Sequence, residues 1–178
     1  MTTYSFCQIK AVIGLGNPGP KFVKTRHNIG FRVVEYLAAA QGASWSHGPE
    51  LDWASIPAEH GQVLLVKPLT FMNSSGKVLP WLTKKGIKPD QIIVVHDELE
   101  KEYGKIVINF SGSHKGHNGL RSIIGAVGAD FWRCKFGISR PQNKEDVPDY
   151  VLAPFTSAEE AEIDTLIELA TEKICFGT

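Results

Sequence analysis

The sequence predicts an α/β protein, a single domain of three layers, α/β/α, built on a mixed and largely parallel central sheet. Three observations predict it. Short apolar runs alternate along the chain with segments of helical periodicity, the order from which layered α/β domains are made. The run Ile92-Ile93-Val94-Val95 has no polar alternation, as expected of a central strand buried on both faces. A chain of 178 residues is long enough for one real core and short for two, so one domain over 1–178 is expected.

Taken in order, residues 9–13 (IKAVI) read as a strand feeding the glycine-rich stretch GLGNPG at 14–19. Asn28 is a candidate N-cap, and Ile29, Val33, Val34, Leu37 and Ala38 then fall at helical spacing. Gly42 stands where a helix-ending glycine belongs. Residues 63–66 form a second strand stopped by Pro68, with 53–56 pairing beside it. Residues 73–86 read as mostly helix, although Pro80 must shift its start or kink it. The strand 92–95 ends in His96-Asp97-Glu98. Residues 105–109 read as a strand and 111–119 as a polar, glycine-rich loop. Leu120, Ile123, Ile124 and Val127 outline a short amphipathic helix. A strand over 134–138 and a helix over 157–175 complete the chain.

Composition narrows the function classes. Formal net charge is zero, which argues against a DNA-coating or membrane-surface protein while leaving room for a local basic patch. No apolar run approaches the ~18 residues of a spanning helix, and the start MTTYSFCQIK lacks a signal-peptide core. Cys7, Cys134 and Cys175 are odd in number and far apart, so reduced thiols in a cytoplasmic protein are expected.

The stretch 14–19 matches G-x-G-x-x-G, yet it departs from a dinucleotide-binding loop. Gly19 is followed by Pro20 and further residues before helical periodicity begins, and Pro18 removes an amide donor. Asn17, at a strand's C-terminal end, stands where ligands bind in open α/β sheets. Asn73, His96-Asp97 and His117-Asn118 share that edge, with His27 at a helix start. There the helix dipole favours neutral imidazole, which takes a proton from water when a carboxylate fixes its tautomer; Asp97 is the natural candidate. No G-x-S-x-G elbow is present and no cysteine neighbours a histidine in sequence, although Cys7, near the first strand, stays open as a nucleophile brought close by the fold; an activated water fits better than a covalent nucleophile. Two rivals stand beside this reading. One is a metal-dependent hydrolase using His114-x-x-His117 with His96, Asp97 and Glu98; the other is a nucleotide-binding module without catalysis.

The segments GLGNPG (14–19), TRHNIGF (25–31), KPLTFMNSSG (67–76), HDEL (96–99), GHNGLRSI (116–123), FGISRP (136–141) and DYVL (149–152) occur in an order and spacing that resembles the bacterial peptidyl-tRNA hydrolases. The resemblance implies hydrolysis of the ester joining peptide to the terminal ribose of tRNA, in translation and ribosome rescue. It also implies a monomeric, cytoplasmic enzyme with no cofactor, no metal and no membrane partner. It implies His27 as base, Asp97 as its partner and Asn17 as a catalytic carboxamide. Asn73, Asn118, Met72, Phe22 and His117 would hold the substrate, while Phe71 and Leu99 are expected in the core. Arg133 and Lys135, helped by Lys115 and Arg121, would meet the tRNA. Phe22 stands where relatives often carry tyrosine. Asn109 occupies a place where a basic phosphate-binding residue is common, leaving Lys105 or Lys115 to substitute. An ester yields to activated water without covalent catalysis, and asparagine side chains supply neutral donors for the oxyanion.

Overall fold

The computed structural model describes residues 4–59 and 61–176; the ends of the expected 1–178 domain lie outside them. The strands are β1 (Ala11–Gly14), β2 (Ser46–His47), β3 (Leu51–Ala58), β4 (Gly61–Pro68), β5 (Ile92–Glu98), β6 (Ile106–Phe110) and β7 (Trp132–Gly137). The helices are α1 (Ile29–Ala40), α2 (Leu79–Lys84), α3 (Asn118–Val127), α4 (Val147–Leu152) and α5 (Ser157–Phe176). The strands join into one sheet in the order β2-β3-β4-β1-β5-β7-β6. Its middle, β4-β1-β5-β7, is parallel; both flanks, β2-β3-β4 and β7-β6, are antiparallel.

Alternation along the strands sorts the core onto two faces. Val12, Ile93 and Val95 point towards Val33, Val34 and Leu37 of α1 and Ile163, Ile167 and Ile174 of α5. Ala11, Ile13 and Val94 point the other way, towards Leu79 and Leu82 of α2 and Leu120 and Ile123 of α3. This is the three-layer arrangement expected from the sequence.

Several elements differ in detail. The segment expected as mostly helix over 73–86, with Pro80 shifting its start or kinking it, is a 3-10 turn, Met72–Val78, followed by α2, whose start is shifted to Leu79. Pro80 falls in the first turn of α2, where its missing N–H costs no hydrogen bond. That position explains a proline which periodicity alone placed inside a helix. The short β2 and α4 carried no signal of their own. Phe71, expected in the core, is 62% exposed and meets Phe22 edge-on; Leu99 is half-buried against the core and also borders the large cavity described below.

Gly30 sets how closely α1 lies on the sheet. A Cβ there would stand 2.4 Å from the Leu15 amide nitrogen and 2.4 Å from the Val95 carbonyl oxygen. Both neighbours are backbone and cannot swing away. Gly30→Ala is expected to cost about 3 kcal/mol of stability, read as a lowered urea midpoint.

Candidate active site

The parallel strands end at one edge, and there the chain gathers its polar residues. His27 lies on a 3-10 turn, Arg26–Asn28, just before α1. That turn is pinned from the C-terminal side. Thr25 bridges Pro154, and the Arg26 amide donates to the Ala153 carbonyl. The buried Arg26 guanidinium donates to the Pro154 carbonyl and the Glu159 carboxylate, 2.7 Å each, while lying over the Tyr150 ring. His27 is thereby held facing the end of β5.

Asp97 is buried at that end and serves two imidazoles through one oxygen. Its Oδ1 lies 2.8 Å from His27 Nδ1 and 3.0 Å from His117 Nε2. The tautomers follow from the remaining contacts. His117 is the N-cap of α3, and its Nδ1 accepts from the backbone amides of Gly119 (3.1 Å) and Leu120 (3.3 Å). A nitrogen facing two N–H donors carries a lone pair, so the proton sits on Nε2 and is donated to Asp97. His27 donates its Nδ1–H to the same oxygen, which leaves its Nε2 as a lone-pair base. His96 donates from Nδ1 to the Asp97 carbonyl at 2.7 Å, with its buried Nε2 unpartnered among the described residues.

The electrostatics agree with these roles. Burial lowers the His27 pKa, but the Asp97 charge and hydrogen bond outweigh it, and the net shift is upward from the ordinary 6.5. The helix-dipole expectation of a favoured neutral imidazole is thus corrected: a carboxylate 2.8 Å away acts more strongly than a helix end reached through a 3-10 turn. Burial opposes ionisation of Asp97 as well, yet the two imidazoles hold its carboxyl well below the usual range. Burial, aided by His117, pushes His96 down to about 3, so it stays neutral.

Asn17 is oriented from behind. Its Oδ1 accepts from the Met72 amide at 2.8 Å, so its side-chain NH2 is the end left for donation. Its backbone is clasped by Asn28, whose Oδ1 accepts from Asn17 N–H and whose Nδ2 donates to the Asn17 carbonyl, both at 2.9 Å. Asn28 was expected only as a helix cap; its side chain does not cap α1.

A cavity of about 330 Å³ opens at this edge, bordered by His27, His96, Asp97, His117 and Asn118, with Lys115 and Lys135 on its cationic side. Lys135 stands 3.7 Å from the Glu98 carboxylate. Other expected site residues lie elsewhere. Asn17 borders a separate cavity of about 180 Å³. Met72 is buried in the core against α3 rather than walling the large cavity. Asn73 is exposed on its 3-10 turn, Phe22 is half-buried, and Arg121 is exposed on α3; none of the three borders the large cavity. Arg133, expected to meet tRNA, is 1% exposed, and its terminal nitrogens donate to the carbonyls of Gly112 and Ser113. Arg133 does border the large cavity, but its buried guanidinium spends both terminal nitrogens on carbonyls, with Nε unpartnered among the described residues, rather than presenting them to a phosphate. Asn109 likewise turns inward, donating to the Ser111 carbonyl at 3.3 Å. Arg140 and Lys144 also border the large cavity.

Neither rival reading gains from the geometry. Among the described residues, His27, Asp97 and His117 are the set whose donor atoms come within 4.8 Å of one another, not the H-x-x-H pair. His117 cannot give a lone pair from Nε2 while its Nδ1 accepts two amides, so this set does not fit a metal. His114 instead accepts from the Gly116 amide at 3.0 Å within its own turn. The glycines at 14 and 16 serve close packing: a Cβ at Gly16 would stand 2.7 Å from the Phe31 ring, and one at Gly14 2.2 Å from the Gly30 carbonyl. A three-residue 3-10 turn, Pro20–Phe22, follows Gly19, and α1 begins only at Ile29, after the turn Arg26–Asn28, so no α-helix opens at Gly19. No helix of the described residues is long and apolar enough to cross a membrane.

Known proteins share this arrangement of chain. The chain is 43% identical over 165 residues to the peptidyl-tRNA hydrolase of Mycobacterium sp. (strain KMS), covering 90% of this chain and 86% of that one. It is 44% identical over 163 residues to that of Fervidobacterium nodosum, covering 92% and 86%. The crystal structure of peptidyl-tRNA hydrolase from Acinetobacter baumannii superposes with a TM-score of 0.89 at 38% identity, covering 94% of this chain and 87% of that chain. The family model described as peptidyl-tRNA hydrolase matches residues 11–176, and the chain belongs to that family.

Proposed function

We propose that this protein hydrolyses the ester between peptide and tRNA in peptidyl-tRNA, releasing both, with His27 as general base towards a water molecule. The observation that carries the reading is the tautomer of His27. Asp97 takes its Nδ1–H, and Nε2 is left with a lone pair beside the cavity. When Nε2 accepts the water proton, the Asp97 charge stabilises the imidazolium that forms. The hydroxide attacks the ester carbonyl; the imidazolium then returns the proton to the departing ribose oxygen. Asn118, at the cavity, and Asn17, which borders the separate smaller cavity with its NH2 left for donation, are assigned as the carboxamides for the oxyanion and the peptide backbone, with Asn73 and Phe22 as outer contacts. Contacts to peptide backbone tolerate any side chain, as a general rescue enzyme of the cytoplasm requires. The reading takes the chain as one domain over 1–178 that acts as a monomer with no cofactor and no metal.

The test is to incubate the protein with N-acylated aminoacyl-tRNA and measure released tRNA. Release that EDTA leaves unchanged supports the reading; no release at any protein concentration defeats it, and loss with EDTA restored by zinc would favour the metal-dependent rival. Lys135 and Lys115 face the cavity and are assigned to tRNA phosphates, with Arg121 as an outer helper. Lys135→Ala is expected to raise KM and to lower the slope of log binding against log salt by about 1, measured by salt titration of tRNA binding.

A further inference from the structure

The loop over residues 111–117 is held in an unusual backbone. Ser111, Gly112, Lys115 and Gly116 have φ of 59°, 121°, 46° and 89°. Serine and lysine adopt the left-handed region at a cost, so something outside must impose it. Its near end is tied to the chain before β7, where the Ser111 amide donates to the Phe131 carbonyl at 2.9 Å. Its far end closes on itself, His117 N–H to His114 carbonyl at 2.8 Å. Between them, the Gly112 and Ser113 carbonyls accept from Arg133, buried on β7 and stacked over Phe131. Gly112 matches this approach, because a Cβ there would stand 3.1 Å from Arg133 Nη1. The product of the loop's path is His117, which caps α3 and donates to Asp97.

We infer that Arg133 is a positioning residue for the catalytic pair: it fixes the 111–117 loop, and through it the second donor to Asp97, without touching tRNA. The inference rests on the reading of His27 and Asp97 as the reacting site. A guanidinium is suited to it, since its planar fork reaches two adjacent carbonyls at once, and an ammonium does not. Without that tie the loop relaxes and His117 drifts from Asp97. The carboxylate then turns about its remaining bond, and His27 loses its aim.

Arg133→Gln, Arg133→Lys and Gly112→Ala test this. Each is expected to lower kcat by about ten- to a hundred-fold with KM for peptidyl-tRNA within about two-fold of the parent. The same loss is expected on an N-acylated aminoacyl ester of a short oligonucleotide, which lacks the tRNA body. The ring 15N signals of His117 are expected to lose the pattern of a proton fixed on Nε2. A raised KM with unchanged kcat, or full activity in Arg133→Lys, would make Arg133 a phosphate contact and overturn the inference. Gly112→Ala lies on the exposed loop and reads the same link if Arg133→Gln fails to fold; parent-like kcat and ring signals there would also overturn it. A parent protein that hydrolyses nothing, with the ring signals still responding, would remove the esterase reading and leave the link from loop to His117 standing.

Discussion

Replacing His27 with alanine is expected to lower peptidyl-tRNA turnover by about 10³-fold, with the fold intact. The size follows from the role, because a positioned base contributes that order and His96 Nε2, also unpartnered beside the cavity, is too weak a base to replace it. His96 is buried and held neutral, and His117 has its proton committed to Asp97. The fold should survive because the buried carboxylate keeps a donor: His117 Nε2–H still reaches Asp97 Oδ1. The expected cost is that of one lost buried hydrogen bond, about 1–3 kcal/mol. Single-turnover kinetics on N-acylated aminoacyl-tRNA measures the first effect and urea unfolding the second. Parent-like turnover in a folded His27→Ala protein would end the proposed mechanism.

Asp97→Asn should be nearly as damaging, by about 10²-fold in kcat at neutral pH, and it should also move the pH profile. In the parent protein His27 acts only when Nε2 is unprotonated. Its pKa is raised above 6.5, so activity is expected to climb with pH through a midpoint above 6.5. Asparagine keeps an oxygen for both imidazoles but removes the charge. Burial, the strongest influence on His27, then goes unopposed and draws its pKa below 6.5, carrying the acid limb down with it. Stability moves in the opposite sense. The raised His27 pKa contributes stability that is fully present below 6.5 and is lost as pH rises through the folded value. The depressed Asp97 pKa contributes stability present above 3.8 and lost as pH falls towards its folded value. The ion pair therefore supports the fold most between 3.8 and 6.5, below the range in which the enzyme should turn over fastest. Urea midpoints of the two proteins should differ most in that window. An acid limb that stays in place in Asp97→Asn would separate this carboxylate from the base.

Much of the architecture was legible because it depends on local pattern. The apolar run at 92–95 lies in a strand buried throughout, and the periodicity from Ile29 to Ala38 lies in α1. His27, Asp97 and His117 were each singled out, and they meet. What local pattern missed were features whose causes lie far along the chain. Phe71 follows an apolar run, yet its ring stays mostly exposed, meeting Phe22 edge-on. Pro80 made sense only once a 3-10 turn delayed the start of α2. Asn28 looked like a cap because it precedes a helix; its side chain instead spans to Asn17, whose position relative to α1 no sequence window contains.

The sequence by itself determined the layers, the order of the main elements, the family resemblance and the polar residues at the strand ends. These follow from periodicities and motifs within short windows, where burial and backbone propensity act locally. The tertiary structure alone decided the protonation pattern and the division of labour among the cations. Which nitrogen of His27 holds a proton depends on a carboxylate 70 residues away. Arg133 and Lys135 read alike as basic residues and both border the cavity, but the loop over 111–117 takes the terminal nitrogens of Arg133, while Lys135 stands beside the Glu98 carboxylate. A side chain's charge is written in its identity; the partner that fixes how the charge is used is set by packing between distant segments.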